Sequence, residues 1–313
     1  MPPTKPVKIR RTQPGKGYRE PPATMKCQPL KKADFYDRLE ELYADAAEAD
    51  KALGRFIAKV CRHQAGAIAH ASLKDPAGAE AKLGRSGQTD DPAILNDLVR
   101  ATIYFDSIDQ VYRARDYIVQ NHASEIGLFF DRYQDSEGAI TSVGANGYRD
   151  VKFILKLDIA RPNKYHYCEL QLNLKALDRA RPVDHAIYEI VRMAGSWNNR
   201  QPVCISDPKE KAVLAAKMRT AWVAIKRSKI GNSDDQARLQ DLVFKFFEKK
   251  RGADIVSTRP VRFEVADIAF LDGFMPKVYQ AFQDKALNAT LMNGGVRRQA
   301  LTRAQQQAFT RPT

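Results

Sequence analysis

No stretch of the 313 residues comes near the roughly 18 consecutive apolar positions that a membrane-spanning helix needs, which excludes one. The basic start, Met1–Arg11, is followed by no apolar segment of the 7–15 residues typical of a secretory leader. Cysteine is scarce: Cys27, Cys61, Cys168 and Cys204 lie far apart, with no C-x-x-C pair. That spacing excludes a zinc ribbon and a disulfide framework, and it fits reduced thiols in a cytoplasmic setting. The phosphate loop G-x-x-x-x-G-K-[ST] is missing. The five histidines (His63, His70, His122, His166, His185) show no metal-ligand spacing.

Hydrophobic residues make up 44% and charged residues 28%, enough to build a core, and the length suits about two domains. Lys and Arg number 51 against 37 acids, a net charge of +14 that favours polyanionic partners. The excess is uneven. Residues 1–32 hold nine bases and one acid, and 294–313 hold four bases and none, which leaves +2 for everything between. Seven of the 16 prolines also fall in residues 1–32. This segment reads as a disordered basic arm, because it cannot bury enough apolar surface to offset the entropy of ordering.

From Asp34 the pattern becomes helical, with Phe35, Leu39, Leu42, Tyr43 and Ala46 and then Leu53, Phe56, Ile57 and Val60 on one stripe. Ser72–Asp91 reads as loop plus a short helix. Leu98–Phe105 and Val151–Leu157 are strand-like, and Asp109–Asn121 between them is helical. Tyr165–Leu174 alternates, placing Cys168, Leu170, Leu172 and Leu174 on one face and Glu169, Gln171 and Asn173 on the other. Helix follows over Lys175–Met193, interrupted near Pro182, then over Lys209–Arg227 and Asp234–Lys250, with a short helix near Phe274–Leu287. Such an order is α+β or α/β, not all-α. Leu242–Phe247 predicts a packing face against the catalytic core rather than a membrane anchor.

The chemistry is carried by carboxylates ringed with cations. Asp97, at the entrance to one strand, and Glu169, on the polar face of another, form a pair that could hold a hard cation through oxygen. Lys74, Lys82 and Arg85 cluster upstream, and Arg100 follows Asp97. Such cations would neutralise the charge of a migrating phosphoryl group.

These segments resemble, in order, the motifs of the RelA/SpoT-type alarmone synthetases. SLKDPAGAEAKLGR is similar to the family's basic ATP-binding stretch, with Lys74, Pro76, Lys82 and Leu83 matching. Ser72 stands where an Arg is usual, and Gly78 where a Ser is usual. NDLVRATIYF resembles D-L-x-G-[IV]-R, with Asp97 on the metal-binding Asp and the Arg three rather than five residues later, at Arg100. GYRDVKFIL resembles G-Y-[RK]-[SG]-x-H, with Tyr148 matching and Lys152 in place of the His. CELQLNLKAL resembles E-[IV]-Q-[IV]-R-T, with Glu169 and Gln171 matching and Asn173 and Leu174 in place of Arg and Thr. DHAIYEIV resembles E-H-x-x-x-Y, with His185 matching. The resemblance spans Asp34–Arg192.

It implies an α+β, nucleotidyltransferase-like fold with a mixed β-sheet flanked by helices over 33–205. A mainly helical extension over 206–293 and a flexible basic tail over 294–313 would follow. The activity implied is pyrophosphokinase: ATP gives its β,γ-diphosphate to the ribose 3′-hydroxyl of a purine nucleotide. Asp97 and Glu169 would be catalytic and hold Mg²⁺. Lys74, Lys82, Arg85 and Arg100 would bind ATP. Tyr148, Lys152, Gln171, Asn173 and His185 would bind the acceptor, with Tyr148 stacking on its base. The companion hydrolase centre, built on a His-Asp pair, is missing from the sequence. Partners expected are ATP and the acceptor, with RNA second and an immunity or regulatory protein third. The protein would act as a regulator in its own cell or as a toxin delivered to another. The alternatives in function are pyrophosphorylation of the tRNA 3′ end and a non-catalytic nucleotide-binding effector.

Overall fold

The structure, a computed structural model, describes residues 28–32, 34–63, 68–83, 91–133, 149–160, 164–178, 187–191, 193–194, 201–250 and 252–292. The chain divides into two units, one of 1–135, 150–173 and 296–313, the other of 136–149 and 174–295.

The first unit opens with one long helix, α1 (Phe35–Arg62). The Asp34 side chain caps it by accepting from the Tyr36 and Asp37 amides, and its apolar stripe is buried from Phe35 to Val60. Five strands follow: β1 (Ile68–Leu73), β2 (Val99–Phe105), β3 (Ile126–Asp131), β4 (Val151–Asp158) and β5 (Tyr165–Leu174), whose last residue falls in the second unit. They form one mixed sheet in the order β1-β2-β5-β4-β3. Helix α2 (Pro76–Leu83) joins β1 to the approach of β2, and α3 (Ile108–Asn121) leads from β2 toward β3. A reciprocal capping box between Ser107 and Gln110 starts α3. Helix α1 lies against β1, β2 and β4, and α3 against α1 and β2.

The α+β expectation with a mixed sheet is therefore met, and three strands and a helix fall within a residue or so of their predicted bounds. Strands β1 and β3 were not expected. The first replaces part of a predicted loop. The second, Ile-Gly-Leu-Phe-Phe-Asp, does not alternate in polarity, so periodicity could not show it. At Gly127 of β3 a Cβ would come within 2.9 Å of the Tyr167 ring and 3.1 Å of the Ile154 carbonyl, so glycine is needed for strand contact there.

Residues 28–32, assigned to the basic arm on composition, are ordered against the first unit. Gln28 is buried; its Nε2 donates to the Tyr167 and Leu95 carbonyls (2.9 and 3.2 Å), and its Oε1 accepts from the Tyr167 amide at 2.8 Å. The rest of the arm, 1–27, and the tail 294–313 lie outside the described residues. Replacing Gln28 by Ala strands buried backbone groups of Tyr167 and is expected to cost about 1–3 kcal/mol, measured by urea unfolding.

The second unit carries α4 (Lys175–Asp178), a helical stretch over 187–191, α5 (Pro208–Ser228), α6 (Ser233–Phe244) and α7 (Val265–Met292). It also carries two small sheets, which pair β6 (Val203–Ile205) with β9 (Val261–Phe263), and β7 (Phe247–Lys250) with β8 (Ala253–Val256). Helices α5, α6 and α7 make up most of the described residues in 206–293, with β7, β8 and β9 between α6 and α7. The helix predicted to reach Lys250 stops at Phe244, and the chain turns back through Gly252, whose φ of +80° favours glycine. The short helix predicted near Phe274–Leu287 is a 28-residue helix running through Pro276. Leu242, Val243 and Phe246 pack into the second unit's own core, with Trp222, Phe263 and Phe274. The predicted break near Pro182 lies outside the described residues.

Candidate active site

One face of the sheet packs on helices, and the other gathers the polar residues. Register decides which residues meet. Ser72 of β1 lies opposite Arg100 of β2, and Lys152 of β4 lies opposite Gln171 of β5. Because side chains alternate along a strand, Arg100, Thr102, Glu169, Gln171 and Lys152 share this face. Their apolar neighbours Ala101, Ile103, Leu170, Leu172 and Phe153 are buried toward the other.

Asp97 sits in the turn before β2, free of strand alternation. Since Leu73 pairs with Val99 across β1 and β2, the next residue, Lys74, comes level with that turn. Its Nζ is 2.5 Å from Asp97 Oδ2, and Lys82 Nζ, in the last turn of α2, is 2.7 Å from Oδ1. Two hydrogen bonds fix this corner. The Lys74 amide donates to the Leu98 carbonyl (2.9 Å), and the Tyr43 hydroxyl, on α1, donates to the Lys74 carbonyl (2.7 Å). The Asp75 carboxylate accepts from the Gly78 amide (2.8 Å) at the head of α2.

Burial opposes the ionised form of Asp97, but the charges of Lys82 and Lys74 outweigh it and hold the carboxyl below its usual pKa. Burial lowers the Lys74 ammonium below the ordinary lysine value, with Asp97 only partly offsetting it. The arrangement is a compact anion flanked by two cations, one of them weakly solvated.

Glu169 anchors a second cluster. Gln171 Nε2 donates to its Oε1 (3.0 Å), and Lys152 Nζ is 3.8 Å from its Oε2. Thr102 Oγ1 donates to Gln171 Oε1 (3.3 Å), which ties β2 to β5. Lys152 Nζ also lies 5.0 Å above the Phe130 ring. Arg100 is exposed and donates from Nε to Ser72 Oγ at 3.0 Å. Asn173 is buried, and its Oδ1 accepts from the Tyr133 hydroxyl (2.7 Å), so it ties the end of β5 to the segment after β3. Arg85, Tyr148 and His185 lie outside the described residues.

Asp150 was not foreseen. It lies two residues before Lys152, and alternation back from that lysine was the signal that could have found it. Its carboxyl is fully buried; Arg132 Nη1 donates to Oδ1 at 2.9 Å, while Oδ2 meets no hydrogen-bond partner. Burial pushes it up to about 6; Glu169 adds to the rise, and Arg132 and Lys152 work against it. Because the folded state favours the protonated form, the wild-type chain loses relative stability as pH rises from about 4 to about 6. Asp150→Asn is therefore expected to stabilise by about 1–2 kcal/mol at pH 7.5 with metal chelated, and by much less at pH 4.5. Thermal unfolding at the two pH values measures the gap.

No family model matches the chain, and no curated protein matches it in sequence. In structure it is similar to small alarmone synthetase 2 from Bacillus subtilis, at 20% identity over 60% of this chain and 92% of that one, with a TM-score of 0.39. It is also similar to a GTP pyrophosphokinase family protein from Streptococcus pneumoniae, at 14% identity over 64% and 96%, with a TM-score of 0.40. Small alarmone synthetase 1 from Bacillus subtilis aligns at 12% identity over 66% and 99%, with a TM-score of 0.40.

Proposed function

We propose that this chain is a RelA/SpoT-type pyrophosphokinase, which moves the β,γ-diphosphate of ATP to the 3′-hydroxyl of a purine nucleotide. The observation that carries the reading is the clasp of Asp97 between Lys74 and Lys82, on a sheet face that also presents Arg100, Lys152 and Glu169. Four cations and two acids leave a net positive surface suited to a triphosphate.

The acceptor's 3′-oxygen would attack the β-phosphorus of ATP. The bond from that phosphorus to the bridging oxygen of the α-phosphate would break, and AMP would leave. Glu169, held by Gln171 and Lys152, is the candidate to take the hydroxyl proton. Lys74, Lys82 and Arg100 would hold the polyphosphate and stabilise charge as it shifts to the leaving oxygen. Asp97 and Glu169 supply carboxylate oxygens, the donors a hard divalent cation takes, and would hold Mg²⁺. When bound, that ion would neutralise charge on the diphosphate. Most of the acceleration would come from positioning and preset charge.

Incubation with labelled ATP and, separately, GDP, GTP, ADP and AMP tests this. Transfer to at least one, with AMP released, is expected; no transfer to any rejects the reading. Label entering tRNA in a salt-sensitive way would favour the RNA 3′ end as acceptor.

A further inference from the structure

Asp97 lies in a segment that no strand ladder holds. Pro92–Ile94 form a single 3₁₀ turn, and 95–98 are turn and irregular backbone ahead of β2. A carboxylate presented from such a segment needs a frame supplied by other parts of the chain. At the start of the segment, Asp91 accepts from the Ala93 amide (2.9 Å), and Arg38 of α1 grips the same carboxylate with Nε and Nη2, each at 2.9 Å. At its end, the Leu98 carbonyl accepts from the Lys74 amide. Between these two ends the hold comes from Gln28. Its backbone N–H donates to the Ala93 carbonyl (2.7 Å), and its Nε2 donates to the Leu95 carbonyl (3.2 Å).

The same side chain also faces β5. Nε2 donates to the Tyr167 carbonyl (2.9 Å), and Oε1 accepts from the Tyr167 amide (2.8 Å), so one residue of β5 gives Gln28 both its main-chain groups, as it would a neighbouring strand. In chain order Leu95 stands two residues before Asp97, and Tyr167 two residues before Glu169. One buried carboxamide therefore joins the backbone beside both proposed acids. A primary amide suits the task. It has two N–H groups for two carbonyls and an oxygen for the peptide N–H, so three buried groups are satisfied without a charge.

We propose that Gln28 is a positioning residue, which sets the spacing between Asp97 and Glu169 by tying the segment before one to the strand before the other. The inference rests on the reaction proposed above. Gln28 would act through the two carboxylates and not on the substrate. Without its bonds the 91–98 segment could drift against β5, and a shift of about 1 Å at a reacting group can cost about 10²-fold in rate.

Gln28→Met in the full chain tests the assignment, because it keeps the length of the side chain and removes its hydrogen bonds. In labelled transfer, kcat should fall by about ten-fold and the Mg²⁺ concentration at half-maximal rate should rise by about three-fold or more, with the KM for ATP within about two-fold of wild type. In hydrogen–deuterium exchange without ligands, the amides of 93–98 should accelerate by about ten-fold more than those of α3. A smaller folded fraction would lower the apparent kcat, but it could neither move the Mg²⁺ midpoint nor single out 93–98. Gln28→Asn keeps the carboxamide on a stem one methylene shorter. It serves if Gln28→Met does not fold, and should move the same readouts in the same direction by less. An unmoved Mg²⁺ midpoint in a folded variant, equal acceleration of exchange in 93–98 and α3, or failure of both variants to fold overturns the proposal. Failure of the catalytic reading is distinct: the wild type would then transfer label to no acceptor, whatever the exchange of 93–98 shows.

Discussion

Asp97→Asn is expected to lower the proposed diphosphate transfer by about 10²- to 10³-fold, about 3–4 kcal/mol in the transition state, while ATP binding without metal is kept or strengthened. The two effects have opposite signs because, on the proposed reaction, Asp97 would exchange two lysine partners for a divalent ion. In the resting protein its carboxylate neutralises Lys74 and Lys82, with ion pairs of 2.5 and 2.7 Å. Asparagine keeps the shape and removes the charge. Both ammonium groups would then be released to a polyphosphate, which would compensate binding, whereas the oxygen donor proposed for the divalent ion would be weakened. The expected signature is a fall in kcat with little change in the KM for ATP, and a higher Mg²⁺ concentration at half-maximal rate. Lys74→Ala should do the reverse, raising KM steeply. Radiolabelled turnover over a Mg²⁺ series measures the three kinetic quantities, and equilibrium binding of ATP in chelator measures metal-free affinity. Equal activity of Asp97→Asn and wild type would remove Asp97 from the reaction.

The largest stability effect is expected away from the site. Lys164→Met destabilises the first unit by about 3–5 kcal/mol, because it strands buried anions. Lys164 Nζ lies 2.5 Å from Asp45 Oδ2 and 2.9 Å from Glu41 Oε1, and Asp45 is only 2% exposed. Burial pulls on these groups, yet pairing wins. Lys164 is raised above the ordinary lysine value and Glu41 lowered below the ordinary carboxyl value. The signs set the pH window. The Glu41 contribution is present above the normal carboxyl range and fades as pH falls through its depressed pKa. The Lys164 contribution fades only as pH rises past the normal lysine value. Adding Asp45→Leu to Lys164→Met should recover much of the loss, since a dry apolar pair no longer leaves a buried charge unpaired. Urea unfolding of both variants at pH 7 decides it; a single variant within 1 kcal/mol of wild type, about the size of an exposed pair, would mean the cluster is solvated.

Much of the first unit was legible because its polarity pattern is periodic. The stripe from Phe35 to Val60 can be buried by a helix and by nothing else, and the alternation of Tyr165–Leu174 has one extended solution. The second unit was harder to read. Its Leu242–Phe247 run is apolar apart from Lys245 and fits helix or strand, so only packing could decide that the helix stops and a hairpin begins. Pro276 is unfavourable inside a helix, yet burial of Leu271, Phe274, Met275 and Val278 in the unit's core holds a continuous one.

The sheet face itself divides along the same line. That the chain would carry cations around two acids, and that its +14 charge sits mostly in two terminal segments, was determined by composition and order alone. Strand register and burial, which no local pattern encodes, decided how those residues are used. Register placed Lys74 level with Asp97 and Lys152 beside Glu169. Burial committed Asn173 to the Tyr133 hydroxyl and made Asp150, an unremarked residue of the chain, the least solvated carboxyl beside the site. The charge that first pointed to polyanions thus narrows to four placed cations, because electrostatics at a site depends on where charges are fixed and how little water reaches them.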